Sequence, residues 1–193
     1  MPSQGVRKCR WSARTDLVTI HSDHPFLPPE NERSPLRRFR GRMVAPVSLW
    51  TAYADERRVG WTVSSLLVAD GPEPMLLGLL DPDADLTESI QPADGSVRTV
   101  AVSLLGWRHR HLPDAFAGLA PAPGGPFRLA EWQETPYGPV LTDGPGWLGA
   151  TVVEARTVGW STLLTARIDQ VELGATDPDL LGHLRGRYLP ISS

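Results

Sequence analysis

The sequence predicts a mainly β protein, a β-barrel with peripheral helices. Apolar, β-branched or aromatic runs recur along the chain, each bounded by turn-forming residues. Helical patterns stand singly between these runs and do not alternate with them, as a doubly wound parallel sheet would require. The length, 193 residues, is that of one compact domain able to bury a core without disulfides or metals.

Residues 1–35 read as a basic N-terminal arm. They lack sustained periodicity and carry the turn-makers Asp23-His24-Pro25, Pro28-Pro29 and Ser34-Pro35, with one short strand expected at Leu17–Ile20. The domain proper spans residues 36–193. Leu36–Arg42 forms a helical turn after Ser34, with Pro35 at the first helical position. Strands follow at Met43–Tyr53, Val59–Val68 and Met75–Leu80, separated by Asp55-Glu56 and Gly71-Pro72. A helix at Ala84–Gln91 stops before Pro92, and Val97–Leu105 is the next strand. A second helix at Arg108–Ala117 is capped by Gly118. Strands at Phe127–Trp132, Leu148–Val158 and Ser161–Leu173 follow. Asp177–Leu184 reads as a third helix, with Asp177 as N-cap and Pro178 at the first helical position.

Charge is unevenly spread. Residues 1–42 carry +5 and the remainder −8, against a formal net charge of −3. A basic arm on an acidic domain is expected to lie on its own or a partner subunit's acidic surface, and no nucleic acid is expected. The single cysteine, Cys9, excludes an internal disulfide framework and a cysteine-based zinc site. No apolar run approaches the ~18–20 residues of a membrane span, and the first residues hold no signal-peptide core. The expectation is a soluble, cytoplasmic protein without a membrane partner.

Few constellations carry chemistry by themselves. Gly144-Pro145-Gly146-Trp147-Leu148-Gly149 has the glycine spacing of a dinucleotide loop, but strand-like Thr151-Val152-Val153 follows where a helix would have to start. It is a turn. In Arg108-His109-Arg110-His111 the imidazoles at i and i+2 face apart on a helix, so they form no chelating pair, although a guanidinium there suits an anionic ligand. Asp81, Asp83 and Asp85 lack calcium-loop spacing and read as a helix start. No catalytic residue and no metal site are expected. Among the seven tryptophans, Trp61 and Trp160 each follow a glycine in a strand-like run, a setting that suits a flat heteroaromatic ligand as well as core packing.

From about residue 40 to 174 the chain resembles the flavin reductase-like domain family, the FMN-binding split barrels. Met43-Val44-Ala45-Pro46-Val47-Ser48-Leu49-Trp50-Thr51-Ala52 is similar to that family's first strand. Gly60-Trp61-Thr62-Val63-Ser64-Ser65 resembles its Gly-x-Thr-x-Ser-Ser signature. Pro74 to Leu80, His111 to Gly118 with its Phe-Ala-Gly end, and Gly138-Pro139-Val140-Leu141 before Gly146-Trp147-Leu148 follow in the family's order. The resemblance implies an antiparallel, Greek-key-like split barrel. It also implies a homodimer with FMN or FAD at the subunit interface, hydride supplied by NAD(P)H, and reduced flavin passed in some members to a flavin-dependent monooxygenase.

By position, the resemblance assigns the flavin to Thr62, Val63, Ser64 and Ser65, with Pro46 and Val47 nearby and Trp61 and Phe116 beside them. Main-chain donors along such a strand stabilise the negative charge that a reduced flavin develops near N1 and O2. Two departures stand out. Where members commonly hold the flavin phosphate with an Asn-x-Ser-Ser-x-Thr segment, this chain has Asp81, Asp83 and Asp85. A carboxylate about 6 Å from a phosphate costs roughly 3 kcal/mol at an effective dielectric of ~20, so a cation such as Arg108 or Arg110 would have to compensate. Where many members carry Gly-Asp-His near the nicotinamide, this chain has Gly159-Trp160-Ser161, which places an indole over the ring and removes the imidazole. The alternatives are a split-barrel binding protein or reductase for another planar cofactor, a deazaflavin or haem, without nicotinamide-dependent activity, and a regulatory dimer whose arm engages an acidic partner.

Overall fold

The computed structural model describes residues 34–91, 96–174 and 179–192. The expected strand at Leu17–Ile20, the arm up to residue 33 and the expected cap Asp177-Pro178 lie outside those residues. The chain begins with α1 (Pro35–Arg40), β1 (Ala45–Pro46), β2 (Ser48–Ala54), β3 (Arg57–Val63), β4 (Leu66–Ala69) and β5 (Met75–Leu80). Then come α2 (Asp85–Ile90), β6 (Thr99–Leu104), a 3₁₀ turn at Trp107–His109, α3 (Leu112–Phe116) and a 3₁₀ turn at Pro126–Leu129. The chain ends in β7 (Trp132–Gln133), β8 (Val140–Leu141), β9 (Gly146–Val158), β10 (Ser161–Leu173), β11 (Leu180–Leu184) and β12 (Arg187–Ile191).

A seven-stranded antiparallel sheet in the order β3-β2-β6-β9-β10-β5-β4 curls until β3 approaches β5. Period-two burial along β10 directs Thr162, Leu164, Ala166 and Ile168 inward. Register shifts at Thr165/Ala166 and Ile168/Gln170 bend the long β9–β10 hairpin around the core. The barrel interior is filled by the fully buried Trp50 with Leu76, Leu80, Val100, Val102 and Leu164. Gly78 makes room for that indole: a Cβ at this position would lie 2.4 Å from Trp50 Cη2. Helix α2 plugs one end of the barrel with Leu86 and Ile90.

A second core of Val47, Leu49, Leu105, Leu112, Phe116, Leu141 and Leu181 lies under α3 and the small β1-β11-β12 sheet. Tyr188 on β12 ties this hairpin to α3 by donating its hydroxyl to Asp114 Oδ1 at 2.6 Å. Desolvation of the phenol, reinforced by that carboxylate, pushes the Tyr188 pKa well up. The buried His109 fixes the turn before α3. Its Nδ1 accepts the Gly106 N–H at 3.1 Å, so Nε2 carries the proton and donates to Asp143 Oδ1 at 3.1 Å.

The fold class holds and several elements shift. The run Met43–Tyr53 divides because Val47 donates its N–H to Leu181, which carries β1 into the small sheet while β2 enters the barrel. The run Val59–Val68 breaks at Ser64-Ser65. The expected helix Arg108–Ala117 is a 3₁₀ turn followed by the shorter α3, whose first turn contains Pro113 with no N–H to donate. Phe127–Trp132 is mostly a 3₁₀ turn, because its aromatic rings cluster on Phe116 instead of lining a sheet. Residues 180–184 form strand β11, not helix: Leu181 packs into the second core and Gly182 passes against Ile191.

Two expectations follow. Gly78→Ala forces Trp50 out of position and lowers stability by about 1–3 kcal/mol, read from the urea midpoint. Burial holds the His109 and His183 pKa values below the ordinary 6.5, so below that pH the unfolded chain binds protons that the folded chain refuses. The urea midpoint therefore falls as pH drops from 7.5 toward 5, and His109→Gln flattens this slope.

Candidate flavin site

The barrel wall is interrupted where β3 ends at Val63 and β4 begins at Leu66. Ser48 sits opposite Val63 in the β2–β3 ladder. Its buried hydroxyl donates to the Val63 carbonyl at 2.7 Å and accepts the Trp50 indole N–H at 3.1 Å. This fixes the last residue of β3. The next anchor is the Ser65 carbonyl, which accepts Leu79 N–H at 2.9 Å. Between these anchors the amide N–H groups of Ser64 and Ser65 lie outside the strand ladders, with the Ser64 side chain half-buried and Ser65 exposed.

Several of the expected residues meet here. The turn from β1 to β2 brings exposed Pro46 and buried Val47 beside the β3 end, since Ser48 pairs with Val63. Leu80, which leads into Asp81, pairs with Thr162 of β10. The β9–β10 turn, with Gly159 at φ 60° and Trp160 90% exposed, therefore stands at the same end of β5 as Asp81 and Ser65. Asp81 accepts the Asp83 N–H at 3.0 Å in its own turn.

Other expected residues stand elsewhere or are already engaged. The Thr62 hydroxyl donates to the Pro113 carbonyl at 2.7 Å, pinning α3 to β3. Phe116 is buried edge-on to Phe127 and Trp132, with ring centroids 4.9 and 5.6 Å away. It lies over Gly60, where a Cβ would come within 2.8 Å of its ring. Trp61 is half-buried against the barrel core. Asp85 pairs with Arg57 at 3.1 Å, at the opposite end of β3 from Ser64. Arg110 stacks on Trp107 at 4.9 Å and donates to its carbonyl at 3.2 Å. Arg108 pairs with Asp143 at 3.3 Å, so neither guanidinium accompanies Asp81.

Sequence reasoning missed the residues that build the break. Ser48, Leu79 and Pro113 act through buried or main-chain groups. Ser48 alone carried a signal, as a hydroxyl at a strand position flanked by apolar neighbours. Among the described residues no group of His, Cys, Asp and Glu has metal-binding geometry, and no helix is long and apolar enough to cross a membrane.

The family model for the flavin reductase like domain matches residues 40–192. The chain belongs to this family. As a flavin reductase-like domain it is 26% identical over 167 residues to the FMN reductase (NADH) RutF of Variovorax paradoxus, covering 86% of this chain and 89% of that protein. Among solved structures it matches the Streptomyces globisporus NADH:FAD oxidoreductase SgcE6, in complex with NAD and FAD fragments, with a TM-score of 0.72. That match has 18% identity and covers 86% of this chain and 96% of the other. A homolog of nitrilotriacetate monooxygenase component B from Mycobacterium thermoresistibile matches with a TM-score of 0.71 and 20% identity, covering 81% and 85% of the two chains. These structures establish the split-barrel fold of the flavin reductase-like domain.

Thr62→Val removes the tie between β3 and α3 and leaves the Pro113 carbonyl without that donor. The expected loss is about 1–2 kcal/mol in urea unfolding, with the fold retained in the circular dichroism spectrum.

Proposed function

We propose that this chain is a homodimeric flavin-dependent oxidoreductase, one that moves hydride from NAD(P)H to FMN or FAD. The observation that carries this reading is the break at Ser64-Ser65, where main-chain N–H groups are withheld from the sheet beside a half-buried hydroxyl. These donors fit the polar edge of a flavin. When bound, the flavin supplies a ring that accepts hydride and gains negative charge at that edge. Ser64 and Ser65 bind and orient the edge through fixed dipoles that need no reorganisation as the charge develops. Val63, held by Ser48, keeps the donors in place, and the exposed Pro46 stands beside them while the Val47 side chain anchors that turn in the second core. Alignment of two rings does the rest, so no acid or base residue is required.

The homodimer is supported by the outer face of β4, β5 and β10. Leu67 and Leu79 are 71% and 41% exposed there, on cross-strand rows completed by Leu77 and Leu163. Trp160 stands at the end of this face. A contiguous apolar sheet surface of this kind suits a second copy. Release of the reduced flavin to a monooxygenase, and a cytoplasmic location, belong to the same proposal.

The exposed Trp160 favours a second reading, a different planar cofactor such as a deazaflavin or haem used without a nicotinamide, because an indole stands where many relatives present an imidazole. The visible spectrum of the purified protein, FMN and FAD fluorescence titrations and NADH and NADPH oxidation separate the two. Flavin uptake with turnover of either nicotinamide supports the first reading; flavin uptake without turnover, or uptake of another chromophore, supports the second. Ser64→Leu is expected to raise the Kd for FMN about ten-fold or more with an unchanged melting temperature. Unchanged affinity in that folded variant removes Ser64 from the site.

A further inference from the structure

One row of residues crosses the outer face of the sheet from the break to the β9–β10 hairpin. Ser65, whose carbonyl accepts the Leu79 N–H, stands opposite Leu79. Leu79 pairs with Leu163, and Leu163 with Arg156. Leu80, Thr162 and Leu164 are buried in the barrel, so the pleat turns Leu79 and Leu163 outward. Ala155 packs against the barrel core, so Arg156 beside it also faces outward. Ser65 and Arg156 are exposed, Leu79 is 41% exposed and Leu163 is half-buried. The row therefore runs from amides that the ladders leave out, over a floor of two leucines, to a guanidinium. Three strand spacings of ~4.8 Å separate Ser65 from the Arg156 backbone by roughly 14 Å along the sheet.

No carboxylate holds this guanidinium. Arg167, farther along β10, pairs with Asp169 at 3.0 Å, whereas Arg156 makes no ion pair or hydrogen bond among the described residues. Glu154, two residues earlier on β9 and opposite Thr165, is exposed and makes no ion pair with it. An unpaired guanidinium at the end of an apolar floor is suited to an anion that a flat ring carries with it. Asp81 follows Leu80 at the same end of β5, so a phosphate brought there needs a cation close by. Arg108 and Arg110 are engaged elsewhere, on Asp143 and Trp107.

We infer that Arg156 anchors a phosphate group of a nucleotide whose flat ring lies along this row, over Leu79 and Leu163. A phosphate accepts two guanidinium N–H groups side by side, a match in charge and shape that a neutral group lacks. Flavin nucleotides and nicotinamide dinucleotides both carry that group, and the measurements below separate them. The inference rests on the flavin-dependent reading above and adds to it a binding residue on β9, outside the Thr62–Ser65 motif.

The test compares FMN with riboflavin, which has the same ring and no phosphate, by fluorescence titration of the full chain. Arg156→Gln is expected to raise the Kd for FMN about ten-fold and that for riboflavin less than about two-fold. Arg156→Lys keeps the charge but not the fork, so its FMN constant falls between wild type and Arg156→Gln. Glu154→Gln removes a charge of the phosphate's own sign and is expected to tighten FMN about two-fold at low salt. Circular dichroism and the melting temperature check that each variant folds. An Arg156→Gln variant with unchanged FMN affinity and a Kd for NADH or NADPH raised about ten-fold assigns the anchored phosphate to the dinucleotide and supports the inference. Equal losses for FMN and riboflavin, or no change for FMN and both nicotinamides, overturn it and leave the flavin-dependent reading standing. A wild-type chain that takes up neither FMN nor riboflavin and binds neither nicotinamide overturns both.

Discussion

The packing of one indole against one missing side chain governs the barrel. Trp50 is fully buried, and its ring occupies the volume that any residue larger than glycine at position 78 would take from β5. Because the ring is held at both ends, by contact with Gly78 and by its N–H on Ser48, β2 and β5 are fixed relative to each other across the interior. Ser48 in turn holds the Val63 carbonyl. The same short chain of contacts that fills the core thus positions the end of β3, where the wall opens. Core packing and site geometry are one construction.

The second core does a different task. It clamps α3 between the barrel and the C-terminal hairpin, through Phe116 over Gly60 on one side and Tyr188 on Asp114 on the other. Helix α3 is short and contains a proline, so its intrinsic stability is small. Its position is set by these lateral contacts. The aromatic cluster of Phe116, Phe127 and Trp132 accordingly belongs to structure, and the open edge of the barrel is shaped by backbone and small hydroxyls.

Sequence pattern revealed the barrel strands well, because half-buried strands such as β10 alternate inward and outward residues in register with the pleat. It failed where burial came from clustering. The Phe127–Trp132 run is as apolar as a strand, yet its rings converge on Phe116 in a 3₁₀ turn. It failed again at Leu180–Leu184, where an apparent cap motif preceded a strand that pairs with both β1 and β12. For the site, the motif around Ser64 located the break, but motif position could not show which hydroxyl was already engaged. Thr62 donates to Pro113, and Asp85, counted with Asp81 by proximity in sequence, points toward Arg57 at the other end of β3.

The tie from Tyr188 to Asp114 and the tie from Thr62 to Pro113 meet on neighbouring residues of α3. The last hairpin and the strand that borders the opening are therefore mechanically continuous. A loosened C-terminal segment would be transmitted through two hydrogen bonds to β3, which makes the final strands a brace for the opening even though they contribute no side chain to it.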